Sequence, residues 1–162
     1  MTELIYQIMN KMISLFKGDA KRIQHFSKVY MYAKFIGHGE KLDKNTMEVI
    51  EIAALTHICE EKYGKSDGKL QEKEGPGMAE ILLEDAEISK DVLERVCFLI
   101  GHHHTYENVD GIDWQILLEA DYLVNAYEKT FSKDAVEKSY EIIFKTKTGK
   151  ELCRNMFGLK IN

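Results

Sequence analysis

Proline is nearly missing from this chain. Pro76 is the only one in 162 residues, so no proline-rich linker divides the sequence. There is no internal repeat and no low-complexity tract. Cysteine is scarce as well. Cys59, Cys97 and Cys153 are odd in number, far apart, and form no CxxC pair. That pattern suggests neither a disulfide scaffold nor a zinc knuckle, and a reducing cytoplasm is the expected location. Basic runs are missing and the net charge is −5. A nucleic-acid polymer or an anionic membrane is therefore not the expected partner. No long apolar run occurs either. The opening stretch MTELIYQIMNKMISLFKG is interrupted by Glu3 and other polar residues, which reads as a helix rather than a secretory leader or a membrane span.

What is present is a globular balance, with 44% hydrophobic and 30% charged residues. A chain of this length suits one domain with a real core, here taken as residues 1–162. The periodicity is helical almost throughout. Leu4, Ile5, Ile8, Met12 and Leu15 share one face, and Gly18 ends that run. Asp19 caps a second helix to about Gly37, with Ile23, Phe26, Val29, Tyr30, Ala33 and Ile36 inward. Asp43 or Asn45 caps a third, which ends near His57. The glycine-rich, charged stretch from Gly64 to Gly77 reads as a loop. Pro76 then fits the first turn of a short helix through Leu83. Ser89 caps the next helix, and HHHTYENVDG breaks it with a turn at Asp110-Gly111. Further helices are expected from Ile112 to about Lys129, from Ser132 to about Phe144, and after Gly149. No alternating strand pattern competes. The expected fold is an all-α bundle of about seven or eight helices.

Several polar residues interrupt the apolar faces. His25 lies one turn before Val29, and His57 ends the third helix. His102, His103 and His104 end the fifth, and Asp121 sits between Leu118 and Val124. Each has an ordinary explanation. A histidine on a helix face is commonly a hydrogen-bonded core residue, Asp121 can pair with a base at the core edge, and a histidine run can be a solvated helix end favoured by the dipole. Together they suggest more. A carboxylate at a core position suffers desolvation unless a cation or donors meet it, and a divalent metal held by His and Asp supplies that cation.

The segments RIQHFSKVYMYAKFIG (Arg22 to Gly37), AALTH (Ala53 to His57), GHHHT (Gly101 to Thr105) and LLEADYLVN (Leu117 to Asn125) resemble, in order and spacing, the HD-domain superfamily of metal-dependent phosphohydrolases. The resemblance covers about residues 20–130, with C-terminal helices at 132–157 packing on that core. It implies a helical bundle in which a first histidine, a His-Asp doublet and a late aspartate bind one or two divalent transition metals (manganese, iron, nickel, cobalt or zinc). Carried over, these are His25, His57 and Asp121. Members with two metals add histidines, for which His102, His103 or His104 stands here; Glu74 takes the place of another, in EGPGMA. One feature departs from the family. Ile58 follows His57 where the doublet aspartate belongs, so either that aspartate is substituted or several residues around the doublet are deleted, and Glu60 and Glu61 are the nearest carboxylates.

The resemblance implies hydrolysis of a phosphate ester or nucleotide, the substrate being a small phosphorylated molecule. His103 or His104 is placed to ligate or to act as general acid, and Lys28, one turn from His25, to face a phosphate. The alternative is a catalytically degenerate domain that binds a metal or small ligand as a sensor or as the partner in a homo-oligomer.

Overall fold

The structure, a computed structural model, describes residues 1–62 and 68–160. Among these residues there is no strand, and eight α-helices follow in order: α1 Glu3–Leu15, α2 Ala20–Gly39, α3 Lys44–Thr56, α4 Gly68–Leu82, α5 Lys90–Ile100, α6 Ile112–Glu128, α7 Lys133–Ile143 and α8 Lys147–Phe157. A short 3-10 turn at Cys59–Lys62 follows α3. The all-α expectation holds.

Most helix starts follow from their caps. Asp19, Ser89 and Ser132 each accept a backbone N–H three residues on, from Arg22, Val92 and Ala135. At α3 the choice falls on Asp43, whose carboxylate accepts from Thr46 N at 2.9 Å. The last helix begins at Lys147, capped by Thr146 rather than starting after Gly149. Gly149 lies inside it because a Cβ there would run into the Glu119 carboxylate.

The reading of Gly64 to Gly77 as a loop is corrected from Gly68 onward, and residues 63–67 lie outside the described residues. Helix α4 runs through Gly75, Pro76 and Gly77, so Pro76 is inside a helix and not in its first turn. Tertiary contact overrides the local breaker signals. A Cβ on Gly75 would come within 2.6 Å of Ile100 Cγ2, and one on Gly101 within 3.3 Å of Pro76 Cγ. The glycines let α4 lie close on α5. The Glu72 carboxylate secures the same join, accepting from His104 N at 2.8 Å and from Thr105 Oγ1 at 2.9 Å.

The centre of the molecule is α6, flanked by α2 and α3, with α5 against α3 and α4 on α5. From Ile116 to Val124 every residue of α6 is buried. No helix of the described residues is long and apolar enough to cross a membrane.

Candidate metal centre

Three elements deliver one side chain each to a common point. His25 comes from the second turn of α2, His57 from the C-cap of α3, and Asp121 from the middle of α6. All three are buried. His25 Nε2 and His57 Nε2 are 3.2 Å apart, and each is 3.3 Å from Asp121 Oδ1. The three ligand atoms thus form a nearly equilateral triangle.

The second nitrogen of each ring sets the chemistry of that triangle. His57 Nδ1 donates to Ala54 O at 2.7 Å, one of the carbonyls left free at a helix C-terminus. His25 Nδ1 donates to Glu128 Oε2 at 2.9 Å. In the neutral rings both Nε2 atoms then carry lone pairs. Those lone pairs face each other and a carboxylate oxygen that has no hydrogen bond among the described residues. Such a grouping needs a cation. A proton on His25 is one answer: burial works against it, but the carboxylates of Asp121 and Glu128 outweigh burial and raise the pKa. For Asp121 burial pushes the pKa up, and His25 and His57 reverse this, holding it well below the usual carboxylate range. A divalent metal is the other answer. Donors about 2.0–2.1 Å from a tetrahedral ion lie roughly 3.3–3.4 Å apart, close to the edges seen here. His25, His57 and Asp121 therefore fit a metal in donor type, separation and orientation.

The triangle lines a cavity of about 250 Å3. His103 and His104 line its side, with Gln71 between them. His103 Nδ1 donates to Ile100 O at 2.6 Å, leaving Nε2 3.2 Å from Gln71 Oε1. His104 Nε2 also contacts Gln71 Oε1. Burial, with His57 and His104 nearby, pushes the His103 imidazole down to about 3, and burial lowers His104 as well. Both rings are neutral at pH 7, so neither donates a proton as an imidazolium. Ile58 lines the cavity beside His57 at 2% exposure, bringing an apolar side chain where the resemblance leads one to expect a carboxylate.

Three of the expected site residues are not brought in. His102 turns away, stacking on Phe98 at 4.1 Å between ring centroids, with its Nδ1 donating to Phe98 O. Consecutive residues at a helix end point in different directions, so three adjacent histidines do not share one site. Glu74 is exposed on α4. The buried face of that helix carries Gln71, Gly75 and Ala79, and Gln71 is the residue that reaches the cavity. Lys28 is outside the cavity lining. Its Nζ is 3.3 Å from Glu128 Oε1 and 5.6 Å from the Tyr127 ring centroid.

The nearby carboxylates do not replace the absent one. Glu61 lines the cavity but is held by Arg22 Nε at 2.8 Å and by Gln71 Nε2. Glu60 packs against Gly75, outside the cavity lining. Lys21, Asn125, Glu128 and Lys129 also line the cavity and are not among the expected site residues. A usable signal existed for the α6 residues. Asp121, Asn125 and Glu128 are spaced by four and three, which puts them on one helix face.

No family model and no curated protein matches this sequence. Among solved structures, the chain is similar to the crystal structure of a predicted HD superfamily hydrolase from an uncultured Thermotogales bacterium. The TM-score is 0.73 at 23% identity, over 94% of this chain and 84% of that one. The helical bundle that brings His25, His57 and Asp121 together is thus the fold of that HD superfamily protein.

Proposed function

We propose that this chain is a metal-dependent phosphohydrolase acting on a phosphate ester or nucleotide, with His25, His57 and Asp121 holding a divalent transition metal. The observation that carries this is the triangle of donors 3.2–3.3 Å apart whose second ring nitrogens are already committed. The description of the similar structure as a predicted hydrolase supports it. When bound, such an ion polarises phosphoryl oxygens and lowers the pKa of water near it. Lys21 and Lys129 at the cavity wall meet the remaining phosphate charge. His103 and His104, both neutral, accept hydrogen bonds from water and substrate, His103 at Nε2. One ion is expected, because Ile58 offers no oxygen to bridge a second.

Ile58 also favours a second reading. A domain that retains metal but not turnover, serving as a ligand sensor or oligomer partner, fits the loss of a carboxylate beside His57. Elemental analysis of protein purified without a chelating tag comes first. Chelator-stripped protein is then assayed on phosphate esters and nucleotides with added manganese, cobalt or nickel. Near-stoichiometric metal and turnover that falls to background in Asp121→Ala are the expected results. Metal without turnover on any substrate selects the second reading, and no metal uptake defeats both.

A further inference from the structure

We infer that Glu128 is a positioning residue that locks the His25 ring for metal binding, with Lys28 balancing its charge. This rests on the metal reading above. Histidines that present Nε2 to a metal need an acceptor on Nδ1 to fix tautomer and ring angle. His57 and His103 find theirs in the backbone, at Ala54 O and Ile100 O, because both lie at helix C-termini where carbonyls are free. His25 makes no such backbone bond. It lies inside α2, where each neighbouring carbonyl already accepts a helix N–H. Its acceptor comes from another element, α6. Two turns after Asp121, Glu128 reaches the far side of the same imidazole, so one face of α6 grips both nitrogens of His25.

The second Glu128 oxygen is 3.3 Å from Lys28 Nζ, one turn beyond His25 on α2. Lys28 therefore acts through Glu128, rather than on a phosphate in the cavity. Together the two residues form an outer layer around His25: acceptor, then counter-charge. Glu128 side-chain exposure is 14% and that of Lys28 is 32%, so the pair lies between the core and the solvent.

The test measures metal affinity by competition between the whole chain and a chromophoric zinc chelator, for wild type, Glu128→Ala, Glu128→Gln and Lys28→Ala. Glu128→Ala should weaken zinc binding about 10- to 100-fold. Glu128→Gln keeps an acceptor oxygen at the same reach, so it should recover most of that loss. Lys28→Ala should fall between Glu128→Gln and wild type. Nitrogen-15 shifts of the neutral His25 ring in zinc-free protein at alkaline pH, where Glu128 and Asp121 compete for its one proton, give a signature that a purely structural role would not move. The Nδ1–H tautomer should persist in Glu128→Gln and be lost in Glu128→Ala. Wild-type affinity and an unchanged tautomer in Glu128→Ala would overturn this inference alone. Wild-type protein that takes up no zinc would overturn the metal reading and this inference with it. If Glu128→Ala does not fold, the Glu128→Gln tautomer and affinity decide: loss of both in a folded variant runs against the inference.

Discussion

Glu119 and Asp121 lie two residues apart on α6, and both are buried, at 0% and 2% exposure. Their surroundings are opposite. Glu119 Oε1 accepts from Gln115 Nε2 at 2.7 Å, Lys145 N at 2.7 Å and Thr146 N at 3.0 Å, and Oε2 accepts from Thr146 Oγ1 at 2.5 Å. It ties the turn between α7 and α8 to the central helix. Asp121 Oδ1 meets no such donor, only two imidazole nitrogens. Burial of a carboxylate therefore says little about its role. The partners say it: donors that satisfy the charge make an anchor, and lone pairs that converge on it make a cation site.

Substitution should separate the two cleanly. Asp121→Asn removes the charge from the triangle and keeps its shape. Metal affinity should fall by more than the roughly 10- to 100-fold that losing an outer partner costs. In chelator-stripped protein at pH 8 the melting temperature should stay near that of wild type. Glu119→Ala should do the reverse. Each stranded buried donor costs about 1–3 kcal/mol, so a loss of at least about 3 kcal/mol is expected. For a chain of this size that is about 6–12 °C in melting temperature. Urea denaturation measures the first variant's stability against the second's, and elemental analysis should find metal content unchanged in folded Glu119→Ala. A stable Glu119→Ala, or a destabilised Asp121→Asn that still binds metal, would break the comparison.

Much of this was legible in the sequence. His25, His57 and Asp121 interrupt apolar faces, and the structure brings those three together. The caps at Asp19, Ser89 and Ser132 were readable because they are local chemistry. The part of α4 before Pro76 was not, because what holds it is the close approach of Gly75 to Ile100 and the Glu72 contacts, which only the folded chain supplies. Glu119 was missed for a different reason. A polar residue on an amphipathic helix is assigned to solvent, but α6 is apolar nearly all round, with Trp114, Ile116, Leu117, Leu118, Leu123 and Val124 all buried. That pattern marks a central helix, in which every carboxylate needs an internal explanation.

Glu60 sharpens the comparison with a third solution. It is 7% exposed, and neither carboxylate oxygen has a hydrogen bond among the described residues. Burial pushes its pKa from 4.5 up to about 8, with Glu61 adding to the rise. No hydrogen-bond donor among the described residues satisfies either oxygen, and burial outweighs the backbone N–H that favours the charged form, so it stays protonated at neutral pH. The folded state then holds a proton that the unfolded chain releases, and stability should decline as pH rises from about 4.5 to about 8. Glu60→Gln removes that dependence. Melting curves at pH 5 and pH 8.5 should show a smaller drop for the variant than for wild type, each kcal/mol amounting to about 2–4 °C. Equal drops would mean that the Glu60 carboxyl finds a partner when it ionises.

The smallest effect is expected at His102, where the histidine run is split. His102 packs between Phe98 and Trp114, at ring-centroid distances of 4.1 and 5.2 Å, and Trp114 Nε1 donates to its carbonyl at 3.1 Å. The backbone bond survives any side-chain change, and His102→Ala loses the ring contacts and the Nδ1 bond to Phe98 O. Aromatic contacts of this kind contribute about 0.5–1.5 kcal/mol beyond area burial and a hydrogen bond about 1 kcal/mol net, so destabilisation of about 2 kcal/mol is expected. Zinc affinity should equal that of wild type. A drop in affinity as large as that of Asp121→Asn would instead place His102 among the ligands, and would require the end of α5 to turn its ring toward the cavity.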